Sequence, residues 1–177
     1  LGGDLTQSTG NARDLINSVL SSLNSIVANS WNGYYNALYQ VNNVISIVED
    51  LPESDLRNLI IGEAHYFRAY IYHSLVTRWG GVPIQRVNTM DKPFRDSEEA
   101  VWAFIEEELE TALAFLGTSS SCYYVSRDAA LALKARVMLE RGKKTEAAAL
   151  AEGLIKDGKY KLDSFDKIFR GKTNTEV

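Results

Sequence analysis

Cysteine is almost missing from this chain of 177 residues: Cys122 is the only one, which excludes an intrachain disulfide framework and a cysteine-built metal cluster and leaves a small thiol of ordinary, partly buried character. Histidine is nearly as scarce. His65 and His73 lie about two turns apart on one predicted helix, too far along it to share a metal ion. There is no glycine-rich phosphate loop, and the serines lie in loops without a neighbouring histidine, so the common nucleophilic and phosphoryl-transfer sites have no counterpart here. The reading is therefore not an enzyme, and no cofactor is called for. Blocks of lysine and arginine are also lacking and the net charge is −4, which argues against a nucleic-acid partner, since phosphate binding needs clustered cations. No apolar run is long enough to cross a bilayer as a helix. The chain starts at Leu1 with no charged, apolar or lipid-accepting cysteine segment near it, so no targeting signal is visible. What is present is 45% hydrophobic residues, enough for a real core.

The apolar residues return at helical spacing. After an irregular lead-in over 1–10, Leu15, Ile16, Val19, Leu20, Leu23, Ile26 and Val27 predict a helix from an Asn11 cap to about Asn29. Ser30 is the expected cap of a second helix, carrying Trp31, Tyr34, Tyr35, Leu38, Val41, Val44, Ile45 and Val48 up to the break at Leu51-Pro52. A long helix then runs from Ser54 to Trp79. It is apolar at Ile60, Ala64, Phe67, Ile71 and Leu75, with a second row at Tyr66, Tyr70 and Trp79, so it must be covered on more than one side. Gly80-Gly81 and Pro83 stop it, and 82–95 is a long loop of the kind that often carries function.

Asp96, as N-cap carboxylate, with Glu99 three residues on, predicts the next helix start. Its core stripe is Trp102, Ile105, Leu109, Ala112, Leu113 and Leu116. Glu106, Glu107, Glu108 and Glu110 read as a solvated face, because the acidic run contains no histidine and lies beside an intact apolar stripe. A small-residue loop, 118–125, carries the adjacent Tyr123 and Tyr124. Ser126 caps an alanine-rich helix ending at Gly142, and a shorter helix from Thr145 to Asp157 places Ala148, Ala151, Leu154 and Ile155 inward. Phe165, Ile168 and Phe169 suggest a last apolar turn.

Polar groups inside these apolar helices stand out. Asn42 sits in a helix interior that asparagine does not favour. Glu63 and Arg68 lie among bulky neighbours, where burial requires each to be paired. The expectation is a structural polar network of Asn42, Glu63 and Arg68.

Alanine-lined helices with short connections predict an all-α fold of antiparallel hairpins stacked as tetratricopeptide-like repeats in one helical-repeat domain, 1–177. Its parts are a lead-in and first helix (1–29), a first pair (30–81), a long loop (82–95), a second pair (96–142) and the start of a third repeat (143–177). The helix 145–157 lacks a partner, and a repeat unit cannot bury its face alone, so the native polypeptide is expected to be longer.

The run from Gly62 through Glu63-Ala64, Phe67-Arg68-Ala69-Tyr70 and on to Trp79-Gly80-Gly81-Val82-Pro83-Ile84 resembles the GEA-x-F-x-RAYYY…(W/Y)G-x-VPL signature of SusD/RagB-type proteins, surface nutrient-binding lipoproteins of outer membranes. The helix from Val125 to Leu139 is similar to the family's AA-x-AL-x-ARV-x-L element. The stretch from Ala147 to Gly158-Lys159-Tyr160 and Ile168-Phe169, and Trp31, Tyr35, Asn42 and Val44-Ile45, match two further elements. The resemblance covers roughly 30–177 and implies the N-terminal, tetratricopeptide-like portion of a longer protein. It implies capture of an oligo- or polysaccharide, or a peptide, at the outer surface of the outer membrane. Delivery would be to a SusC-like TonB-dependent transporter, with membrane contact only through an N-terminal lipid anchor absent from this chain. Tyr123 and Tyr124 are the candidate ligand-binding residues, since sugar rings stack on aromatic faces. Trp31, Trp79 and Trp102 read as core. The competing reading is a tetratricopeptide-type protein-interaction module with no small-molecule ligand; the long 54–79 helix and its Trp-Gly-Gly-Val-Pro exit have no role in one.

Overall fold

The structure, a computed structural model, describes residues 10–19, 21, 23–117 and 123–164. Among them the chain forms six helices and no strand: α1 (Gly10–Ile16), α2 (Ser25–Glu49), α3 (Asp55–Trp79), α4 (Glu98–Phe115), α5 (Arg127–Glu140) and α6 (Lys144–Lys156). The fold is all-α. The expected last apolar turn at Phe165, Ile168 and Phe169 lies outside the described residues, as do Leu20 and Cys122.

The first expected helix does not run from 11 to 29. It is divided, with Asn11 inside a short α1 and Ile26 and Val27 belonging to α2. Two local causes act. Ser18 takes a left-handed φ of 57°, which no helix continues through. Asn24, buried, accepts from the Ile26 N–H at 3.0 Å and so caps α2 six residues before the predicted Ser30. Ser30 lies inside the helix and its hydroxyl donates back to the Ile26 carbonyl at 2.7 Å. Val19 and Leu23, read as part of an apolar face, are exposed.

The other boundaries follow their local signals. Ser54 Oγ accepts from the Arg57 N–H at 3.2 Å to open α3. The Arg57 side chain reaches back to the last carbonyls of α2, donating to Val48 O at 3.1 Å and Glu49 O at 3.0 Å. At the other end Gly80 has φ 68°, and Gly81 passes so close to the Asp96 carbonyl that a Cβ would sit 2.2 Å from its oxygen. The α4 cap differs from expectation: Ser97 Oγ accepts from Ala100 N–H, while Asp96 Oδ2 accepts from the Ile84 N–H at 2.7 Å and closes the base of the loop.

Packing centres on α3, which lies against α2 on one side and, most extensively, α4 on another. Leu38, Ala69, Tyr72, Leu75, Val101, Ile105 and Leu109 are buried in the shared core. The Tyr72 and Phe104 rings meet edge to face at 5.0 Å. Trp31, Tyr35 and Tyr34 cluster with Trp79 where α2 meets the end of α3. Two members of the predicted apolar rows of α3, Phe67 and Tyr70, are about half exposed, because none of the described helices covers that third face. The pairing of the second half is shifted as well. The expected contact of α5 with α4 is present, but α5 packs more extensively on α6 across the Gly142 turn. Alanine-rich faces allow that close approach. Ala147 is the buried residue of α6, with Leu150 beside it; of the residues expected inward, Ala151 and Leu154 are partly buried while Ala148 and Ile155 are exposed.

Candidate functional site

The polar residues of α2, α3 and α4 converge beneath the segment that follows Gly81. Arg68, nine-tenths buried on α3, donates from Nε and Nη2 to the two oxygens of Glu108 on α4 at 2.6 and 2.8 Å, a bidentate pair. Arg68 Nη1 donates to Asn42 Oδ1 on α2 and to the Arg86 carbonyl, both at 3.0 Å. His65 Nδ1, one turn before Arg68 and so on the same face, lies 2.8 Å from Glu108 Oε2, the geometry of an Nδ1–H donating to the carboxylate. Among the described residues no buried side-chain nitrogen or oxygen lacks a partner.

This differs from the expected network in one member. Glu63 and Arg68, five residues apart, point to different sides of α3. Glu63 Oε1 instead accepts from the Val125 N–H at 2.7 Å and holds the segment entering α5. The carboxylate that Arg68 requires is Glu108, which the acidic run led us to place in solvent and which is 2% exposed. A signal for it exists. Glu108 lies three residues after Ile105 and four before Ala112, inside the apolar stripe, unlike Glu107 and Glu110.

Burial alone pushes the Glu108 carboxyl up, but the hydrogen bonds from His65 and Arg68 and the charge of Arg68 outweigh it and hold the group below the usual carboxylate range. Tyr72 moves the other way. Its phenol is raised to about 12, mainly by burial. Its oxygen accepts from the Gln85 N–H at 2.7 Å and donates to the Pro83 carbonyl, which also accepts from Tyr35 OH at 2.9 Å.

These groups strap residues 83–88 across the helices. Asn42 Nδ2 donates to the Gln85 carbonyl at 3.0 Å, and Asn88 Nδ2 donates to the Tyr39 carbonyl and Asn43 Oδ1. Arg86 forms a bidentate pair with Glu107 at 2.7 and 2.6 Å over the Phe104 ring. Between the strap and α2 lies an open cleft of about 490 Å³, with Asn42, Arg68 and Ile45 among its inner walls and Glu49, Asp50 and Val87 nearer the rim. Chemically it can hold a polar molecule by hydrogen bonds. Tyr123 and Tyr124 are elsewhere, on the segment leading into α5, with Tyr123 88% and Tyr124 53% exposed. Of the three tryptophans, Trp102 is buried, while Trp31 and Trp79 are half-buried at the α2–α3 contact. Among the described residues no group of histidine, cysteine and carboxylate side chains could hold a metal ion.

Comparison with known proteins gives a consistent answer. A SusD-like family model, described as starch-binding and associating with the outer membrane, matches residues 4–139. SusD-like protein P38 of Formosa agariphila is 29% identical over 164 residues, covering 89% of this chain and 32% of that protein. The crystal structure of a SusD-like protein from Bacteroides fragilis superposes with a TM-score of 0.72 at 28% identity, covering 82% of this chain and 30% of the other. Surface glycan-binding protein A from Bacteroides fluxus superposes with a TM-score of 0.78 at 26% identity, covering 90% and 37%. The chain thus spans about a third of the length of these relatives.

Proposed function

The chain belongs to the SusD-like family, and on that premise we propose that it is the helical-repeat part of a receptor that binds a nutrient glycan at the outer surface of the outer membrane and passes it to a SusC-like TonB-dependent transporter. The observation that carries this reading is the family match over residues 4–139, which runs through α1 to α4 and most of α5 and includes the strapped 83–88 segment. The described glycan-binding relative from Bacteroides fluxus, alike in fold over 90% of this chain, supports the ligand class. In this role the chain performs no chemical step. Its buried network is scaffold, bracing three helices and the strap so that a binding surface keeps one shape without loss of conformational freedom on binding.

Tyr123 and Tyr124 are our candidates for stacking on a sugar ring, because both present ring surface to solvent on a segment that Glu63 anchors. The test is calorimetric titration of the longest product of the coding sequence with starch, laminarin and xyloglucan oligosaccharides, together with co-purification of a β-barrel transporter. Retention of one of these glycans without turnover is expected, weakened about tenfold by the double substitution Tyr123→Ala and Tyr124→Ala. Hydrolysis of the glycan, or no affinity for any carbohydrate, would sink the proposal.

A further inference from the structure

The cleft between α2 and the 83–88 strap contains charges, and their pairing decides what it can hold. We propose that it is a saccharide subsite selective for neutral sugar rings over acidic ones, an inference that rests on the glycan-receptor reading and deepens it. Its volume of about 490 Å³ lies within the range of sites for small molecules.

The two guanidinium groups in its wall are already committed. Arg68 is held by both oxygens of Glu108 and by Asn42, and Arg86 by both oxygens of Glu107. A uronate or sulfate entering the cleft would have to break one of these bidentate pairs to find a cation. Glu49 and Asp50, at the end of α2, are exposed and have no cationic partner among the described residues. The two carboxylates put negative charge at the rim, offset only in part by the Arg57 guanidinium, which is held on the Val48 and Glu49 carbonyls at the same end of α2, and so they disfavour an acidic ligand.

The same groups suit a polyol. Ionised carboxylates accept only, and sugar hydroxyls are donors able to meet them. Asn43, which lines the cleft, uses its oxygen to receive Asn88 Nδ2 at 2.8 Å, so its Nδ2 is the donor it can offer an incoming acceptor. Ile45, buried on the inner wall, and Val87, 67% exposed, supply apolar surface for the C–H face of a ring. The inner wall is preorganised, since Asn42 and Arg68 are each nine-tenths buried and fixed by partners on other elements. Among the described residues no aromatic ring lines the cleft, so recognition there is by hydroxyl hydrogen bonds.

The experiment is calorimetry on the longest encoded product with maltohexaose, laminarihexaose and a xyloglucan heptasaccharide as neutral probes and hexagalacturonate as the acidic one. The expected result is that a neutral probe binds and hexagalacturonate does not. The triple substitution Asn43→Ala, Glu49→Ala, Asp50→Ala is then expected to weaken the neutral probe about tenfold or more. Because Asn43 also anchors Asn88 of the strap, the double substitution Glu49→Ala, Asp50→Ala, at two exposed positions, is measured beside it; it should keep the parent's melting temperature and still weaken the neutral probe. Neutralising the rim with Glu49→Gln and Asp50→Asn should raise hexagalacturonate affinity relative to the neutral probe. An unchanged neutral affinity in the triple variant, or equal binding of acidic and neutral probes by the parent, overturns the subsite while leaving the glycan-receptor reading intact. A parent protein that binds none of the oligosaccharides overturns both.

Discussion

Where α3 packs along α4, bulky side chains meet around a buried carboxylate and guanidinium, with Tyr72, Phe104 and Leu109 sealed beside Arg68 and Glu108. Where α5 packs on α6, Val137 and Ala147 share a purely apolar contact, and the charges stay outside, as in the Lys156–Glu152 pair along α6 at 2.8 Å. The difference teaches where each region is vulnerable. A buried ion pair adds little over an apolar pair of the same volume, but losing one partner leaves a charge with nothing to meet it. A surface pair loses almost nothing, because water replaces the partner. The first arrangement also does what the second does not: it ties a loop to two helices at once, through Asn42 on α2 and Arg68 and Tyr72 on α3.

The contrast can be broken most directly at Arg68. Arg68→Ala leaves Glu108 buried without its guanidinium and should cost about 3–5 kcal/mol, read from denaturant unfolding. A loss no greater than that of a surface variant would remove the distinction between the two regions. Acid probes the same interface without mutation. The Glu108 carboxyl titrates below its unfolded value of about 4.3, so its contribution is complete above that pH and is lost as the pH falls through the lower folded value. Unfolding curves should show Glu108→Gln losing less stability than the parent as the pH falls from about 5 to about 3. Gly81→Ala sharpens the role of the strap. Its Cβ would collide with the Asp96 carbonyl, and a cost of about 1–3 kcal/mol is expected, with amide exchange over 82–88 accelerated more than in α5 and α6. At the small end, Lys156→Ala should change stability by less than about 0.5 kcal/mol, since both partners are largely exposed.

Legibility in the sequence followed the range of the interaction. The span of α3, its serine cap and its glycine stop were readable because each signal lies within a few residues of the feature it sets. So was the start of α5 at Ser126, whose Oγ accepts from Ala129 N–H. Asn42 and Arg68 stood out as polar groups in apolar helices, and they lie 3.0 Å apart. The identity of the carboxylate was missed because an acidic run averages over its members, and only Glu108 of that run is in phase with the stripe that faces α3. The split of the first helix was missed because the apolar spacing continues across it, while the residues that break it, Ser18 and Asn24, act through backbone conformation and burial.

Local pattern by itself determined that this protein is all-helical, where its longest helix begins and ends, and that a long connection follows a paired-glycine stop. It did so because helix periodicity, caps and terminators are properties of neighbouring residues. Only the tertiary structure decided which acid enters the core, that Glu63 secures a loop rather than Arg68, that α5 favours α6 over α4, and that a cleft opens beside the strap. Apart from the packing of the adjacent α5 and α6, those outcomes depend on partners forty or more residues away, such as Glu108 for Arg68, and on the cost of burying a charge, which is set by what surrounds it and not by its place in the chain.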